Sequence, residues 1–197
     1  MKKIGIMGGT FDPIHYGHII TASKVLCRYH LDEVVFVPSG NPPHKKNLCI
    51  TPATDRLAMV KAAIDGHYGF SISTVEIERP GYSYALDTVN YFYEIYGDDI
   101  DLYFITGADA ISEIATWYRA DELMAKCRFI AAARPGYSFE KDDPTVKKYS
   151  DRIRIFAETA LAISSSEIRR RVAAKEDISK LTPPSVAAYI KKHQLYL

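Results

Sequence analysis

The sequence lacks the features that mark secreted, membrane-spanning or nucleic-acid-binding proteins. It has only three cysteines in 197 residues, and their odd number and wide spacing argue against a disulfide framework and fit a reducing cytoplasm. A formal net charge of +1 gives no basis for non-specific binding to nucleic acids. No apolar run approaches the length that spans a membrane. These absences predict a cytoplasmic protein without nucleic-acid or membrane partners, in which Cys27 and Cys127 are small core residues.

The remaining composition is that of an ordinary globular protein, 47% hydrophobic and 25% charged, and the length suits one domain over residues 1–197. Short β-branched runs alternate with helical patterns. Strands are predicted at 3–7, 33–37, 70–77, 102–106, 128–133 and 154–156, and helices at 16–30, 51–65, 83–96, 109–117, 120–126, 164–174 and 184–193. This alternation predicts an α/β, Rossmann-like doubly wound fold, a mostly parallel sheet with helices on both faces. Ligands of such sheets bind past the carboxyl ends of the strands.

The turn after the first strand suits a nucleotide polyphosphate. Gly8 and Gly9 let the backbone turn tightly and approach a ligand with no Cβ in the way. The helix that begins near Tyr16 points unpaired N–H groups and its positive dipole end at the same place. His15 and His18 lie one turn apart at that helix start, where both can donate hydrogen bonds to phosphate oxygens.

Other interpretations of this turn are weaker. A glycine pair after a strand is often only a strand-to-helix connection, and a histidine pair at this spacing can also hold a metal. Asp12 is the one carboxylate at ligand spacing nearby, so no protein metal site is predicted. The Lys-Ser/Thr pair of a P-loop and the second half of Gly-x-Gly-x-x-Gly are both missing, which excludes a P-loop NTPase and an ordinary dinucleotide-binding start.

A second phosphate motif lies in the C-terminal helices, about residues 164–197. Ser164 and Ser165 precede a helix that they can cap while offering hydroxyls to phosphate. Arg169 follows in the first turns and presents a fixed fork for phosphate oxygens. For Arg170 and Arg171 a solvated helix face is the favoured interpretation. We expect the two helix beginnings to converge on one triphosphate.

The two motifs together resemble the small nucleotidyltransferases that transfer an adenylyl group from ATP. They read Gly-Gly-Thr-Phe-Asp-Pro-Ile-His-Tyr-Gly-His at 8–18 and Ile-Ser-Ser-Ser-Glu-Ile-Arg at 163–169. Further segments at 38–45, 82–88, 106–109 with Trp117, and 133–136 are similar to bacterial nicotinate-nucleotide adenylyltransferases over essentially the whole chain. The resemblance implies that nicotinate mononucleotide and ATP give nicotinate adenine dinucleotide and pyrophosphate, in NAD biosynthesis.

In that reaction the mononucleotide phosphate attacks the α-phosphorus of ATP. The attacking oxygen is already anionic near neutral pH, so catalysis consists mainly of positioning and charge stabilisation. We therefore expect His15, His18 and Arg169 to act as the catalytic residues at the phosphates. Mg²⁺ is expected to arrive on the ATP phosphates rather than in a protein cage.

The resemblance also implies which residues contact each substrate. The expected ATP contacts are Gly8, Gly9, Thr10, Phe11, Gly107, Asp109, Arg134, Ser164, Ser165 and Ile168. The expected mononucleotide contacts are His44, Lys45, Tyr84, Ala85, Trp117 and Tyr118. Trp117 would stack on the pyridine ring, with the backbone N–H groups of Ala85 and Tyr118 at its carboxylate. Core packing for Trp117, a helix cap for Asp109 and a plain surface position for Lys45 are the alternatives.

Ala85 stands where the family usually has Thr, which leaves open how strongly the acid mononucleotide is preferred over the amide. The alternatives are a nicotinamide mononucleotide or phosphopantetheine adenylyltransferase of the same fold, and a non-catalytic nucleotide-binding sensor. The phosphopantetheine enzymes have Thr at the position of His15, and cytidylyltransferases carry a different late motif. Closure of the loop 39–50 over the substrates is also left open. A homo-oligomer is possible, with exposed tyrosines such as Tyr137, Tyr149 and Tyr196 as interface candidates.

Overall fold

The computed structural model describes residues 1–43, 50–133, 144–157 and 163–197. The strands are β1 (Lys2–Gly9), β2 (Glu33–Pro38), β3 (Phe70–Ile72), β4 (Ile100–Gly107), β5 (Arg128–Ala132) and β6 (Ile153–Phe156). The helices are α1 (Tyr16–Arg28), α2 (Ala53–Ile64), α3 (Val75–Glu78), α4 (Ala85–Tyr96), α5 (Ala108–Ser112), α6 (Ala120–Lys126), α7 (Pro144–Lys148), α8 (Ser165–Ala173) and α9 (Pro184–Lys192), with a 3₁₀ turn at Ile114–Thr116.

The six strands form one sheet in the order β3-β2-β1-β4-β5-β6, and every neighbouring pair is parallel. The chain moves outward from β1 in one direction, returns, and continues outward from β4 in the other. This reversal creates a crevice at the carboxyl ends of β1 and β4, where doubly wound sheets bind ligands. The predicted fold class is confirmed.

A hydrophobic core covers each face of the sheet. On one face α4, α5 and α6 pack through residues such as Phe92, Ile111 and Leu123. On the other face α1, α2 and α9 pack through residues such as Val25 and Met59. Burial on both faces explains why the central strands read as near-continuous apolar runs rather than as alternating ones.

The region after residue 72 differs from the prediction. A strand was expected over 70–77, but β3 ends at Ile72 after three pairs with β2, and α3 follows. The hydroxyl of Thr74 donates to Glu78 Oε1 at 2.7 Å, a bond at i, i+4 that supports a helical turn. The alternating sequence pattern at 70–77 therefore covers both the strand β3 and most of the short helix α3.

Two helix predictions also need correction. The helix over 51–65 was expected to begin on a Thr or Asp cap, but its N-cap is Pro52 and no side-chain cap bond is described there. The backbone N–H of Thr51 instead donates to Asp12 Oδ2 at 3.3 Å. The helix predicted over 109–117 is divided into α5 and the 3₁₀ turn.

Burial settles several single-residue expectations. Cys127 is buried as predicted, but Cys27 is exposed, because it lies about 200° around α1 from the buried Val25. Tyr149 is buried, and its hydroxyl donates to Asp121 Oδ1 at 2.7 Å, so its expected exposure was wrong. Tyr196 is only partly exposed, and Tyr137 lies outside the described residues. Within the described ranges, no helix combines the length and apolar character that crossing a membrane requires.

Candidate active site

The turn between β1 and α1 meets the beginning of α8. The Arg169 guanidinium donates from Nη1 to the Asp12 carbonyl at 2.7 Å, across 157 positions of sequence. The Ser165 hydroxyl donates to the Pro13 carbonyl at 2.9 Å. The two motifs that the sequence analysis singled out therefore share one surface at the carboxyl edge of the sheet.

His15 and His18 form a stacked pair at the start of α1, with ring centroids 3.8 Å apart. The backbone N–H of His15 donates to His18 Nδ1 at 3.3 Å. In a neutral ring the other nitrogen, Nε2, is then the donor. His15 is only 5% exposed, whereas His18 is partly exposed, so His18 presents the more accessible ring. A Cβ on Gly17 would lie 2.9 Å from His15 Nδ1, which favours glycine there.

The first turn of α8 is fastened internally. Ser164 caps the helix, because its Oγ accepts from the N–H of Glu167 at 3.2 Å. The proton of Ser165 is already used on the turn before α1, so its hydroxyl docks α8 rather than offering a donor to phosphate. Ile168 is fully buried, and its N–H donates to the Ser164 carbonyl. The side chain of Ile168 therefore belongs to the core, and its expected ATP contact stays a prediction.

The three arginines of α8 have different surroundings. Arg170 forms ion pairs with Glu167 at 2.9 Å and Glu176 at 3.1 Å, and Arg171 pairs with Glu167 at 2.7 Å. Hydrogen bonds from Arg170, together with those from Arg171, lower the pKa of Glu167 to about 2. The solvated face predicted for Arg170 is confirmed, since its side chain lies on the exposed side of α8. Arg169 differs because its guanidinium lies against the turn before α1.

A cavity of about 550 Å³ opens beside the same turn. Its wall combines the end of β1, the loop after β2, α3, the start of α4, and the segment around the 3₁₀ turn. The lining residues are Gly8, Gly9, Thr10, Ser39, Pro42, Pro43, Glu76, Ser83, Tyr84, Ala85, Phe104, Thr106, Thr116, Trp117, Tyr118 and Leu123. The volume lies within the range of small-molecule sites.

Aromatic side chains form one end of this cavity. Trp117 packs edge-on against Phe104 and Phe129, with centroid separations of 6.1 and 6.2 Å, and also lines the cavity. Both interpretations of Trp117, core packing and a stacking surface, therefore fit its position. Tyr84 and Tyr118 stack with their centroids 4.6 Å apart, which joins the start of α4 to the segment after the 3₁₀ turn.

The beginning of α4 belongs to the cavity wall. The helix starts at Ala85, with Tyr84 as an N-cap whose side chain makes no capping bond in the described structure. The first N–H groups of a helix have no partners within it, and they carry the positive end of its dipole. An anionic group at this end of the cavity would be stabilised there.

Glu76 and Ser83 line the cavity, although no sequence pattern indicated either residue. Glu76 is 7% exposed and accepts from the Thr88 hydroxyl at 2.6 Å, while burial raises the pKa of its carboxyl group. Ser83 Oγ accepts from the N–H groups of Gly40 and Asn41 at 3.0 and 3.1 Å, which ties the loop after β2 to the cavity wall. Glu76 lies in α3, within the segment 70–77 for which a strand was predicted, so its place in the cavity wall was not predicted.

Arg56 supports the turn between β1 and α1, residues 8–15, which we call the phosphate turn. Its side chain is 1% exposed and donates to the carbonyls of Thr10 at 2.7 Å and Thr51 at 2.8 Å. A longer contact of 3.5 Å reaches the Gly40 carbonyl. Burial lowers the pKa of this guanidinium, and the charge of Asp12 opposes that effect. A single arginine in an amphipathic helix gave no sequence signal for this role.

Gly107 and Asp109 are exposed at the carboxyl end of β4, next to the end of β1. A Cβ at Gly107 would collide with the Asp109 carboxylate, so the side chain of Asp109 folds back over residue 107. Gly107 itself is the N-cap of α5, without a side-chain cap bond in the described structure.

The predicted contacts of His44, Lys45 and Arg134 lie outside the described residues. Within the described ranges, no cluster of three His, Cys, Asp or Glu side chains could hold a metal ion.

Two helix beginnings suited to phosphate lie beside a nucleotide-sized cavity, at the crevice of a doubly wound sheet. This combination is typical of enzymes that transfer nucleotidyl groups. In agreement, residues 6–171 match the family model described as cytidylyltransferase-like. A probable nicotinate-nucleotide adenylyltransferase from Thermoanaerobacter sp. (strain X514) is 48% identical, over 98% of this chain and 94% of its own. The Moorella thermoacetica protein of the same description is 47% identical, over 98% and 91%. The chain therefore belongs to the nicotinate-nucleotide adenylyltransferase family.

Solved structures show the same fold. A nicotinic acid mononucleotide adenylyltransferase from Plasmodium falciparum, complexed with NaAD, matches with a TM-score of 0.82 at 23% identity, over 100% of this chain and 98% of its own. A structure described as a putative nicotinate-nucleotide adenylyltransferase from Vibrio parahaemolyticus matches with a TM-score of 0.71 at 25% identity, over 100% and 96%. The arrangement of strands and helices is thus preserved where little sequence is shared.

Proposed function

We propose that this protein transfers the adenylyl group of ATP to nicotinate mononucleotide, which gives nicotinate adenine dinucleotide and pyrophosphate in the synthesis of NAD. The observation that carries the proposal is the contact of Arg169 and Ser165 with the turn that holds His15 and His18. It places a cation and two helix beginnings around one surface, next to a cavity of suitable size. The enzyme is expected to work in the cytoplasm.

The triphosphate of ATP would lie between the beginnings of α1 and α8. There Arg169 would neutralise the leaving pyrophosphate, and His18 Nε2 would donate to its oxygens. Gly8, Gly9 and Thr10 line the cavity and belong to the same turn, so a mononucleotide in the cavity can present its phosphate to the α-phosphorus. No proton needs to be removed from the attacking oxygen, and the protein supplies positioning and charge.

The pyridine ring would occupy the aromatic end of the cavity, with Trp117 as its stacking surface. Its carboxylate would meet the beginning of α4, where the backbone N–H of Ala85 would donate a hydrogen bond to it. The side chain of Ala85 has no hydroxyl to add a second bond. The buried carboxyl group of Glu76 lies on the same wall. Burial raises the pKa of this carboxyl group, and hydrogen bonds from Thr88 and Ser83 oppose that effect.

Mg²⁺ would enter with ATP. Asp12, the carboxylate of the phosphate turn, already accepts hydrogen bonds from Tyr196 and Thr51, which leaves it poorly suited as a metal ligand. The phosphate oxygens and water would therefore hold the ion, as magnesium prefers. Bound there, it would neutralise charge on the triphosphate.

Pyrophosphate release from ATP tests the proposal, with nicotinate mononucleotide and nicotinamide mononucleotide in parallel. We expect turnover with the acid, and a kcat/KM roughly fivefold lower with the amide, because a carboxylate at a helix beginning gains about 1 kcal/mol over a neutral group. Equal use of both substrates would refute the proposed acid preference. No release with either would refute adenylyl transfer to a pyridine mononucleotide.

The matched variant for this assay is Ala85→Thr. It restores the hydroxyl that the family usually carries at this position, and Ala85 borders the cavity without being fully buried. We expect the preference for the acid to increase in this variant, because a hydroxyl can donate to a carboxylate. An unchanged preference would show that the carboxylate lies away from the start of α4.

A further inference from the structure

Asp12 links the phosphate turn to three distant parts of the chain. Its Oδ1 accepts from the Tyr196 hydroxyl at 2.7 Å, and its Oδ2 accepts from the N–H of Thr51 at 3.3 Å. Its carbonyl accepts from Arg169 Nη1 at 2.7 Å. Asp12 is itself only 6% exposed. Because one residue carries all three bonds, a displacement of Asp12 would also displace the guanidinium of Arg169.

Tyr196 reaches Asp12 from the segment that follows α9. Its backbone adopts a φ of +67°, a left-handed conformation that a tyrosine rarely takes unless its surroundings compensate the strain. Burial raises the pKa of the Tyr196 hydroxyl, and the Asp12 carboxylate adds to this effect. The hydroxyl therefore keeps its proton at neutral pH and remains a donor to the carboxylate.

This contact lies outside the cavity wall. Gly8, Gly9 and Thr10 line the cavity, whereas Asp12 and Tyr196 are not among its lining residues. The Thr10 carbonyl on the same turn is held by the buried Arg56. Tyr196 thus reaches the phosphate turn through its bond to Asp12.

We propose that Tyr196 is a positioning residue for adenylyl transfer, acting through Asp12 to hold the phosphate turn and the Arg169 guanidinium in place. The inference rests on the proposed function for its kinetic consequences. The hydroxyl of Tyr196 restrains the Asp12 side chain, the Asp12 carbonyl anchors Arg169, and Arg169 meets the phosphates. Loss of the Tyr196–Asp12 hydrogen bond would weaken charge stabilisation at the leaving pyrophosphate more than it would disturb the mononucleotide cavity.

The variant Tyr196→Phe removes one oxygen atom and tests the proposal. We expect kcat to fall about tenfold, since small misplacements of catalytic groups are costly. The KM for ATP should rise roughly threefold, while the KM for nicotinate mononucleotide stays within about twofold of the wild-type value. Steady-state kinetics with each substrate varied in turn give these three numbers.

Tyr189→Phe is the matched control. The Tyr189 hydroxyl donates to Asp55 Oδ1 at 2.9 Å. Like Tyr196→Phe, this variant therefore removes a hydrogen bond from a tyrosine near the C-terminus to an aspartate much earlier in the chain. Asp55 lies on α2 and is not part of the phosphate turn. We expect comparable thermal unfolding midpoints for the two variants but wild-type kinetics for Tyr189→Phe.

Binding of pyrophosphate alone, measured by calorimetry, separates this inference from the proposed function. Tyr196→Phe should bind pyrophosphate roughly threefold more weakly than the wild-type protein, and Tyr189→Phe should bind it equally well. If the wild-type protein bound pyrophosphate but turned over neither mononucleotide, the proposed function would fail and the binding comparison would still decide the role of Tyr196. Unchanged kcat and pyrophosphate affinity in Tyr196→Phe, or equal losses in both variants, would overturn the positioning role.

Discussion

Replacement of Arg169 by alanine is expected to lower kcat about a thousandfold, the upper range for loss of a group that stabilises transition-state charge. The guanidinium donates to the Asp12 carbonyl at 2.7 Å and to Ser166 Oγ at 3.2 Å, which aims it at the surface between the two helix beginnings. Without it, the charge that develops on the departing pyrophosphate loses its fixed counterion. Single-turnover measurements with saturating ATP and nicotinate mononucleotide would report this step directly.

Arg170→Ala provides the control for this prediction on the same helix. Arg170 is exposed, and its partners are Glu167 and Glu176. Exposed ion pairs contribute little to stability, so this variant should fold normally and keep its turnover within about twofold. Comparable losses in the two alanine variants would mean that Arg169 matters only for the packing of α8.

Replacement of His18 by alanine is expected to lower kcat about a hundredfold. The His15 backbone N–H donates to Nδ1 of His18, and Phe11 packs edge-on against the ring at a centroid distance of 5.1 Å. These contacts fix the ring so that Nε2 can donate to a phosphate oxygen. Steady-state kinetics at saturating substrates would measure the loss, and near-wild-type turnover would contradict the assigned role.

Two further variants define what His18 contributes. His18→Gln keeps an amide donor near the position of Nε2 and should recover part of the activity that His18→Ala loses. His30→Asn lies just beyond the other end of α1, where residue 30 has a φ of +51° that asparagine tolerates. This control should have wild-type kinetics, because residue 30 lies far along the helix from the phosphate turn.

Local sequence patterns predicted most of the fold because the sheet is parallel and covered on both faces. Its strands are buried apolar runs, such as Glu33–Pro38, and a run of this kind is visible without knowledge of its neighbours. The edge strand β3 was predicted too long, since its extent depends on pairing with β2 alone. An alternating pattern cannot show where such pairing stops.

The site was predictable to the extent that its residues lie in contiguous motifs. His15, His18 and Arg169 lie in two such motifs, and the residue types alone indicated phosphate chemistry. Arg56 and Tyr196 could not be identified in this way, because their roles arise from bonds to Thr10 and Asp12 across 46 and 184 positions of sequence. Helical spacing likewise did not show that the side chain of Ile168 is buried.

A crystal structure with a non-hydrolysable ATP analogue and nicotinate mononucleotide would test the central claim most directly. We predict a triphosphate between the beginnings of α1 and α8, with His18 Nε2 and the Arg169 guanidinium each about 3 Å from its oxygens. The pyridine ring should then lie against Trp117 in the cavity. A triphosphate bound elsewhere, out of reach of one of these two side chains, would contradict the account.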